Sequence, residues 1–226
     1  MIVFDNVSKS YPTRGGGRTE ILRSFSGVVR PRVNVGILGR NGAGKSTLMR
    51  LISGGEAPTG GAIYREGKVS WPLGFAGGFN NQLTGRQNLR FICRLYDVDF
   101  DETVEFVRDF AEIGRFFDQP IRTYSAGMRA RLAFGAAMAL QFDYYLIDEV
   151  IAVGDANFRK KCRAVFDERA ERATLLLVSH LPNLLKEFCH IGGVLADGEL
   201  IFYDTIEEAM AVHAENQKRA GTTMFA

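Results

Sequence analysis

The 226-residue chain has few cysteines and no long hydrophobic run. Cys93, Cys162 and Cys189 are too few and too scattered for a disulfide framework, so a reducing compartment is the simpler expectation. The most apolar stretch, residues 132–140, is far shorter than the roughly 20 residues that a membrane-spanning helix needs. The N-terminus reaches an acid at Asp5 and lacks the basic region of a signal peptide. We therefore expect a protein without a membrane span of its own.

An excess of one charge is also missing. The chain has 28 Lys and Arg against 26 Asp and Glu, a net charge of +2. Nucleic-acid-binding domains usually carry a strongly basic face, so we expect no nucleic-acid partner. Hydrophobic residues make up 46% and charged residues 24%, close to globular averages, which excludes a disordered or low-complexity chain. At this length we expect one large domain, or one domain that carries a subdomain.

Strand and helix patterns alternate along much of the chain. Apolar runs predict strands at residues 33–38, 144–147 and 174–179. Between them, apolar residues on one helical face predict helices at residues 45–53 and 157–172. Such alternation is typical of the α/β class, in which helices cover both faces of a mostly parallel sheet.

The middle and the end of the chain follow other patterns. Residues from about 80 to 140 are helical in pattern throughout, with a capping box at Thr84–Gln87, and predict a helical subdomain inserted into one domain over residues 1–226. Later, Asp197-Gly198 predicts the type I′ turn of a β-hairpin. Another capping box opens a last helix, expected from about 205 to 216.

Residues 39–47, here called the phosphate loop, match the pattern G-x-x-x-x-G-K-[ST] between a predicted strand and a predicted helix. Glycines let backbone N–H groups surround phosphate oxygens, and the helix N-terminus adds its dipole. Lys45 is expected to reach the β and γ phosphates of a nucleotide, and Ser46 to bind Mg²⁺. The full set of expected nucleotide contacts in the loop is Gly39, Asn41, Gly42, Ala43, Gly44, Lys45, Ser46 and Thr47.

Acidic and histidine side chains follow two of the predicted strands. Asp148 ends one strand, and a carboxylate in that place beside a phosphate loop can hold Mg²⁺. Glu149 comes next and can orient and deprotonate water for attack on the γ phosphate. His180 ends another strand, and ligands bind where the carboxyl ends of parallel strands meet. We expect Lys45, Glu149 and His180 to be catalytic, and Ser46 and Asp148 to bind the metal.

A third motif completes a family pattern. Ser125-Ala-Gly-Met128 precedes a predicted helix and lies 148 − 125 = 23 residues before Asp148. With the phosphate loop, Asp148-Glu149 and His180 in this order, the chain resembles the ATP-binding subunit of an ABC transporter. The Ser125–Met128 segment looks like a variant of that family's signature, usually Ser-Gly-Gly-Gln. The resemblance covers nearly the whole chain.

The resemblance has consequences for fold and site. It implies a phosphate-loop NTPase core with a mostly parallel sheet, an N-terminal antiparallel β part and the inserted helical subdomain. It implies ATP as the nucleotide and a homodimer, in which Ser125, Gly127 and Met128 contact the γ phosphate held by the opposite subunit. Tyr11 would stack on adenine. Asp155 would belong to a loop that communicates across the dimer.

Other segments resemble the ATPases of polysaccharide exporters. They are Trp71-Pro72, Gly77-Gly78-Phe79 and residues 83–86, 124–134 and 148–158. This implies ATP-driven export of capsular polysaccharide or another lipid-linked glycan, an integral membrane permease as partner, and a place at the cytoplasmic face of the bacterial inner membrane. The family's glutamine before the helical subdomain falls near Phe75 here, and Gln82 lies too late, so we assign no glutamine ligand to the metal.

Three other functions are compatible with parts of this pattern. The chain could serve an ABC transporter for another substrate, or be a soluble ABC-type ATPase acting on ribosomes or in DNA repair. Such soluble proteins usually carry two cassettes or a long coiled coil, and this chain has neither. A kinase or GTPase would not explain the Ser125–Met128 segment and His180, and the guanine-reading Asn-Lys-x-Asp is missing. His190 and His213 are expected to be packed or solvated residues.

Overall fold

The computed structural model describes residues 1–73, 79–148 and 155–223, without the side chains of residues 156 and 220–223, and it divides into two units. The first unit consists of Met1–Pro72, Asp143–Asp148 and Ala173–Ala226. The second consists of Leu73–Phe142 and Glu149–Arg172. The expected helical subdomain over residues 80–140 thus lies in the second unit, together with the helix expected at residues 157–172.

The first unit contains two β-sheets. The smaller sheet is antiparallel, in the order β2-β1-β4; its strands are β1 (Ile2–Pro12), β2 (Arg18–Val29) and β4 (Gly60–Arg65). The larger sheet has the order β5-β6-β3-β7-β8; its strands are β3 (Val35–Leu38), β5 (Tyr144–Asp148), β6 (Thr174–Val178), β7 (Ile191–Ala196) and β8 (Glu199–Tyr203). Only β8 runs antiparallel to its neighbour in this sheet. The predicted α/β class, with its antiparallel N-terminal part and mostly parallel sheet, is confirmed.

Apolar strands and aromatic contacts hold the first unit together. Strand β3 and strand β6 are buried at every position, as their uninterrupted apolar runs require. The ring of Phe25 lies 5.2 Å from that of Phe4 in the small sheet and 5.7 Å from that of Phe202 in the large one, centroid to centroid. One hydrophobic core therefore serves both sheets.

Three helices complete the first unit: α1 (Lys45–Ser53), α6 (Pro182–Phe188) and α7 (Ile206–Thr223). Helix α1 begins and ends where the sequence predicts. Helix α7 begins after the predicted cap but continues to Thr223, beyond the expected end near 216. The turn between β7 and β8 has positive φ at Asp197 and Gly198, as a type I′ turn requires.

The second unit is helical. It contains α2 (Gly85–Tyr96), α3 (Phe100–Ala111), α4 (Ala126–Ala139) and α5 (Ala156–Ala170), with short 3-10 helices at Gly114–Asp118 and Ile121–Thr123. Both hydrogen bonds of the Thr84–Gln87 capping box are present. The ring of Phe110 on α3 packs 5.7 Å from Phe134 on α4 and 5.4 Å from Phe158 on α5. The apolar run that includes Phe134 is thus a core helix, and none of the described helices has the length and apolar character needed to cross a bilayer.

Candidate nucleotide-binding site

Strand register brings the three predicted site segments of the first unit to one edge of the large sheet. Val178 on β6 pairs with Ile37 on β3 and with Asp148 on β5. These strands are parallel, so the segments that follow them leave the sheet on the same side. The phosphate loop follows β3, and His180 follows β6. The carboxyl edge of the sheet therefore collects the groups that the sequence predicts to act together.

The phosphate loop has a backbone that only glycine adopts easily. Gly42 has a φ of 82°, and a Cβ added there would meet no atom within 4 Å. Gly44, which directly precedes α1, has a φ of 104°, and an added Cβ would lie 2.3 Å from Cγ2 of Ile21. The loop can therefore present its N–H groups at the start of α1 without side chains in the way, the arrangement that binds phosphate oxygens.

Polar side chains at the start of α1 donate hydrogen bonds to oxygen atoms at the carboxyl edge of the sheet. The Lys45 ammonium donates to the carbonyl oxygens of Gly39 at 2.7 Å and Arg40 at 3.1 Å, so it curls over the loop. The Ser46 hydroxyl donates to Oδ2 of Asp148 at 2.9 Å, although 102 residues separate the two. A hydroxyl and a carboxylate in contact provide two oxygen ligands of the kind that Mg²⁺ prefers.

A cavity of about 260 Å³ adjoins the outer side of the phosphate loop. Its walls are residues 40–43, the end of β7 with Asp197 of the following turn, and His213 and Asn216 of α7. Burial, followed by the nearby charges of Lys45 and His180, lowers the pKa of His213. His213 was expected to be packed or solvated, and its place beside the phosphate loop could not be predicted, because a capping box predicts a helix but not what that helix packs against.

The remaining histidine of the first unit, His190, is structural. Its Nδ1 accepts a hydrogen bond from the backbone N–H of Asn34 at 3.0 Å, and the Asn34 side chain bonds the backbone of Phe188 and Leu175. These contacts tie β3 to β6 and to the end of α6. The predicted packed role of His190 agrees with them.

Tyr11 lies near the end of β1, in the first unit. Its hydroxyl donates to Oε1 of Glu56 at 2.5 Å. Sequence reasoning missed Glu56, since a single acid in a glycine-rich turn carries no motif. The role of Glu56 becomes visible only in the folded chain, because its partners lie on two other segments.

The signature-like residues lie in the second unit. Ser125 caps α4, and its Oγ accepts a hydrogen bond from the N–H of Met128 at 3.2 Å. Gly127 is exposed, and an added Cβ would meet no atom closer than 3.9 Å. Asp155 caps α5 by accepting from the N–H of Phe158 at 2.9 Å, and its other oxygen accepts from Arg131 at 2.5 Å. The hydrogen bond from Phe158, ahead of the charge of Arg131, lowers the pKa of Asp155.

Comparison with known proteins identifies the family. The family model described as ABC transporter matches residues 22–152, more than half of the chain. The chain belongs to the ABC transporter family. It is 48% identical over 214 residues to the polysialic acid transport ATP-binding protein KpsT of Escherichia coli, covering 93% of this chain and 97% of KpsT. It is also 48% identical over 209 residues to the capsule polysaccharide export ATP-binding protein CtrD of Neisseria meningitidis serogroup B, covering 92% and 96%.

A solved structure supports the fold of this ABC ATPase. The ATP-binding cassette MJ0796, in a dimeric post-hydrolysis state with ADP and Pi, superimposes with a TM-score of 0.75. The match covers 90% of this chain and 98% of that one, at 21% identity. At that identity the likeness establishes the ABC cassette fold alone.

Several predicted positions of this ABC ATPase lie outside the described residues. They are Glu149, the expected base; Phe75, where the family's glutamine would stand; Gly77-Gly78; and the part of the segment 148–158 that covers residues 150–154. Their roles stay predictions.

Proposed function

We propose that this chain is the ATP-hydrolysing subunit of a transporter that exports a polysaccharide or lipid-linked glycan across the bacterial inner membrane. The observation that carries the ATPase chemistry is the Ser46–Asp148 contact at the carboxyl edge of the sheet, beside the phosphate loop. The observation that favours a glycan is the 48% identity, over nearly full length, to relatives named for polysialic acid transport and capsule polysaccharide export.

Mg²⁺ fits the residues present. Among the described residues no group of three or more His, Cys, Asp or Glu side chains could hold a metal ion. Mg²⁺ in nucleotide sites rests on one or two protein oxygens, with phosphate and water oxygens completing its shell. Ser46 and Asp148 supply such a pair. When bound, the ion would neutralise charge on the β and γ phosphates.

The chain's own groups account for the remaining steps. Lys45 would leave the carbonyl oxygens of Gly39 and Arg40 for the β and γ phosphates, which are stronger acceptors because they are charged. The N–H groups of the phosphate loop would hold the phosphates against the start of α1. Glu149 would orient and deprotonate the attacking water, and His180 would hold the γ phosphate or that water.

The proposal includes a homodimer with two shared sites. Each ATP would lie between one phosphate loop and the Ser125–Met128 segment of the other copy, with Asp155 in the loop that signals across the dimer. The exposed Gly127 and the N-terminus of α4 leave room for a phosphate group. No nucleic acid enters this scheme.

The membrane partner is an integral permease, and the chain would sit at the cytoplasmic face of the inner membrane. The helical second unit would pass the closing of the dimer to that permease. A soluble ABC-type ATPase, or a transporter for another substrate, is the competing proposal.

Purification from the native organism in mild detergent tests the proposal. We expect the chain to bring down a multi-helix permease, and the complex to hydrolyse ATP. The same complex carrying Glu149→Gln should bind ATP but not hydrolyse it, because the base is replaced. Recovery of the chain only with ribosomes or DNA-repair proteins would overturn its proposed role in export, but not the proposed ATP hydrolysis. Parent-like turnover by Glu149→Gln would overturn the assignment of the base.

A further inference from the structure

Three side chains of the first unit contact the carboxylate of Glu56. The ammonium of Lys9 on β1 lies 2.7 Å from its Oε1. The hydroxyl of Tyr11, also on β1, donates to the same oxygen at 2.5 Å. Nε of Arg50 on α1 donates to Oε2 at 3.0 Å. Both oxygens are thus bound, and the donors, Lys9 first and Tyr11 second, lower the pKa of Glu56 to about 2.

The cluster fixes Tyr11 at two points. Its hydroxyl is bound to Glu56. Its ring lies under the ammonium of Lys9, 5.0 Å from nitrogen to ring centroid, in a cation–π contact. Lys9 is itself buried, with only 8% of its surface exposed, and it also donates to the carbonyl of Ala57 at 2.8 Å. Tyr11 is only partly buried, so a ligand that stacks on its ring would use the face opposite Lys9.

The same cluster reaches the phosphate loop. Nη2 of Arg50 donates to the hydroxyl of Thr47 at 3.0 Å and lies 3.5 Å from the hydroxyl of Tyr11. Thr47 is the last residue of the phosphate loop and lies in the first turn of α1. The guanidinium group of Arg50 therefore links the hydroxyl of Tyr11 to the helix that would carry the phosphates. The proposed base-binding and phosphate-binding parts of the site are thus connected by hydrogen bonds.

We propose that Glu56 is a positioning residue of the nucleotide site: with Lys9 and Arg50 it holds Tyr11 so that the face of the ring opposite Lys9 stacks on a purine base. The proposal rests on ATP binding as the proposed function. Glu56 touches no part of the nucleotide and acts through Tyr11 alone. Its loss should therefore weaken the binding of the base and spare the binding of the phosphates.

The experiment compares ATP with inorganic tripolyphosphate, which carries the phosphates without the base. The full chain is titrated with each ligand by calorimetry, as parent, Glu56→Gln and Tyr11→Phe. Tyr11→Phe keeps the ring and every charge and loses only the hydroxyl, so it tests the proposal even if Glu56→Gln folds poorly. Tyr64→Phe, on an exposed tyrosine of β4, is the matched control.

We expect Glu56→Gln and Tyr11→Phe each to bind ATP about three- to tenfold more weakly, the range of one hydrogen bond, with tripolyphosphate affinity within about twofold of the parent. In the ATPase assay, KM for ATP should rise by the same factor while kcat is unchanged. The double variant should bind ATP no more weakly than the worse single variant, because Glu56→Gln weakens, through loss of the charge, the same hydrogen bond that Tyr11→Phe removes. Tyr64→Phe should match the parent in all measurements.

Three results would overturn the proposal. Parent-like ATP affinity in Tyr11→Phe would show that the held hydroxyl does not matter to the base. Equal weakening of ATP and tripolyphosphate would assign the cluster to the phosphate loop or to folding. A parent chain that binds no ATP at all would overturn the proposed function along with this inference, so the two failures are told apart by the parent measurement.

Discussion

Glu56 and Lys9 are a pair of opposite charges that are both largely removed from water. The Glu56 side chain is 20% exposed and that of Lys9 is 10% exposed. A buried charge is costly unless it is paired and hydrogen-bonded, and each of these groups satisfies the other. Protonation of Glu56 would remove the counter-charge of Lys9 and leave it with the carbonyl of Ala57. The pair therefore makes this part of the fold sensitive to acid.

The sign of this pH dependence follows from the lowered pKa. Glu56 titrates at 4.5 in the unfolded chain and at about 2 in the folded one. The unfolded chain therefore binds the proton more readily, and the stability that Glu56 contributes is present above pH 4.5 and is lost as the pH falls toward 2. We expect Glu56→Gln, which cannot titrate, to be less stable than the parent at neutral pH, with a gap that narrows in acid.

Urea unfolding at several pH values measures that gap. Glu66→Gln is the matched control, because the Glu66 side chain is 81% exposed and lies beside the N-terminal amine. The free energy of unfolding of this control should change with pH in parallel with that of the parent. If the profile of Glu56→Gln also ran parallel to the parent through the acid range, the ion pair would not be a source of acid sensitivity.

Residue roles could be predicted where the chemistry is contiguous in sequence. The phosphate loop carries its glycines, Lys45 and Ser46 in nine residues, so the sequence was sufficient to propose its chemistry. Glu56 shows the limit, because its meaning depends on Lys9 and Arg50, which reach it from other elements. His213 shows the same limit, since α7 brings it to the phosphate loop only in the folded chain.

At the scale of elements, α4 begins with a residue that has two roles. The Oγ of Ser125 caps the helix, whose second half, residues 132–138, is buried. The same hydroxyl is proposed to contact a phosphate of the opposite subunit. Helix α3 of the same unit begins with an ordinary cap, in which Oδ1 of Asp99 accepts from the N–H of Glu102 at 2.8 Å. The two caps can therefore separate stability from nucleotide contact.

We expect Ser125→Ala and Asp99→Ala each to lower the free energy of unfolding by about 1 kcal/mol, the usual worth of a helix cap. Only Ser125→Ala should abolish the ATP-dependent dimer, because of the two caps only Ser125 is proposed to contact the phosphate of the opposite subunit. Sedimentation of Glu149→Gln chains with ATP measures the dimer, and urea unfolding measures stability. A dimer that survives Ser125→Ala, or that is lost equally in Asp99→Ala, would refute the role of Ser125.

Element boundaries were predictable where a local signal stands at the boundary. Helix α1 follows the phosphate loop and stops at Gly54, which takes the left-handed conformation that ends helices. Helix α7 was expected to end near 216, yet it continues to Thr223. Residues 217–220, Gln-Lys-Arg-Ala, are good helix formers, so nothing local stops the helix at 216, and it continues through Gly221 to Thr223.

At the scale of the whole molecule, two of the exposed large apolar side chains lie next to each other. Phe91 and Leu95 on α2 are 62% and 63% exposed. They are four residues apart and therefore neighbours on one helical face, with exposed Arg90 and Arg94 beside them. Exposed apolar pairs with a polar rim are typical of protein contact surfaces. In the proposed transporter, the partner for this face of the helical unit is the permease.

The double substitution Phe91→Ser and Leu95→Ser tests that surface. Both side chains are exposed, so we expect the variant to fold and to bind ATP as the parent does. It should lose the permease in detergent co-purification, because the apolar side chains that the proposed membrane subunit would bury are gone. A control with Val28→Ser and Ile201→Ser removes two exposed apolar side chains of the first unit, 42% and 49% exposed, and should retain the permease. Equal permease recovery with both variants would place the docking surface elsewhere on the chain, and equal loss would point to a general effect of surface polarity on the complex.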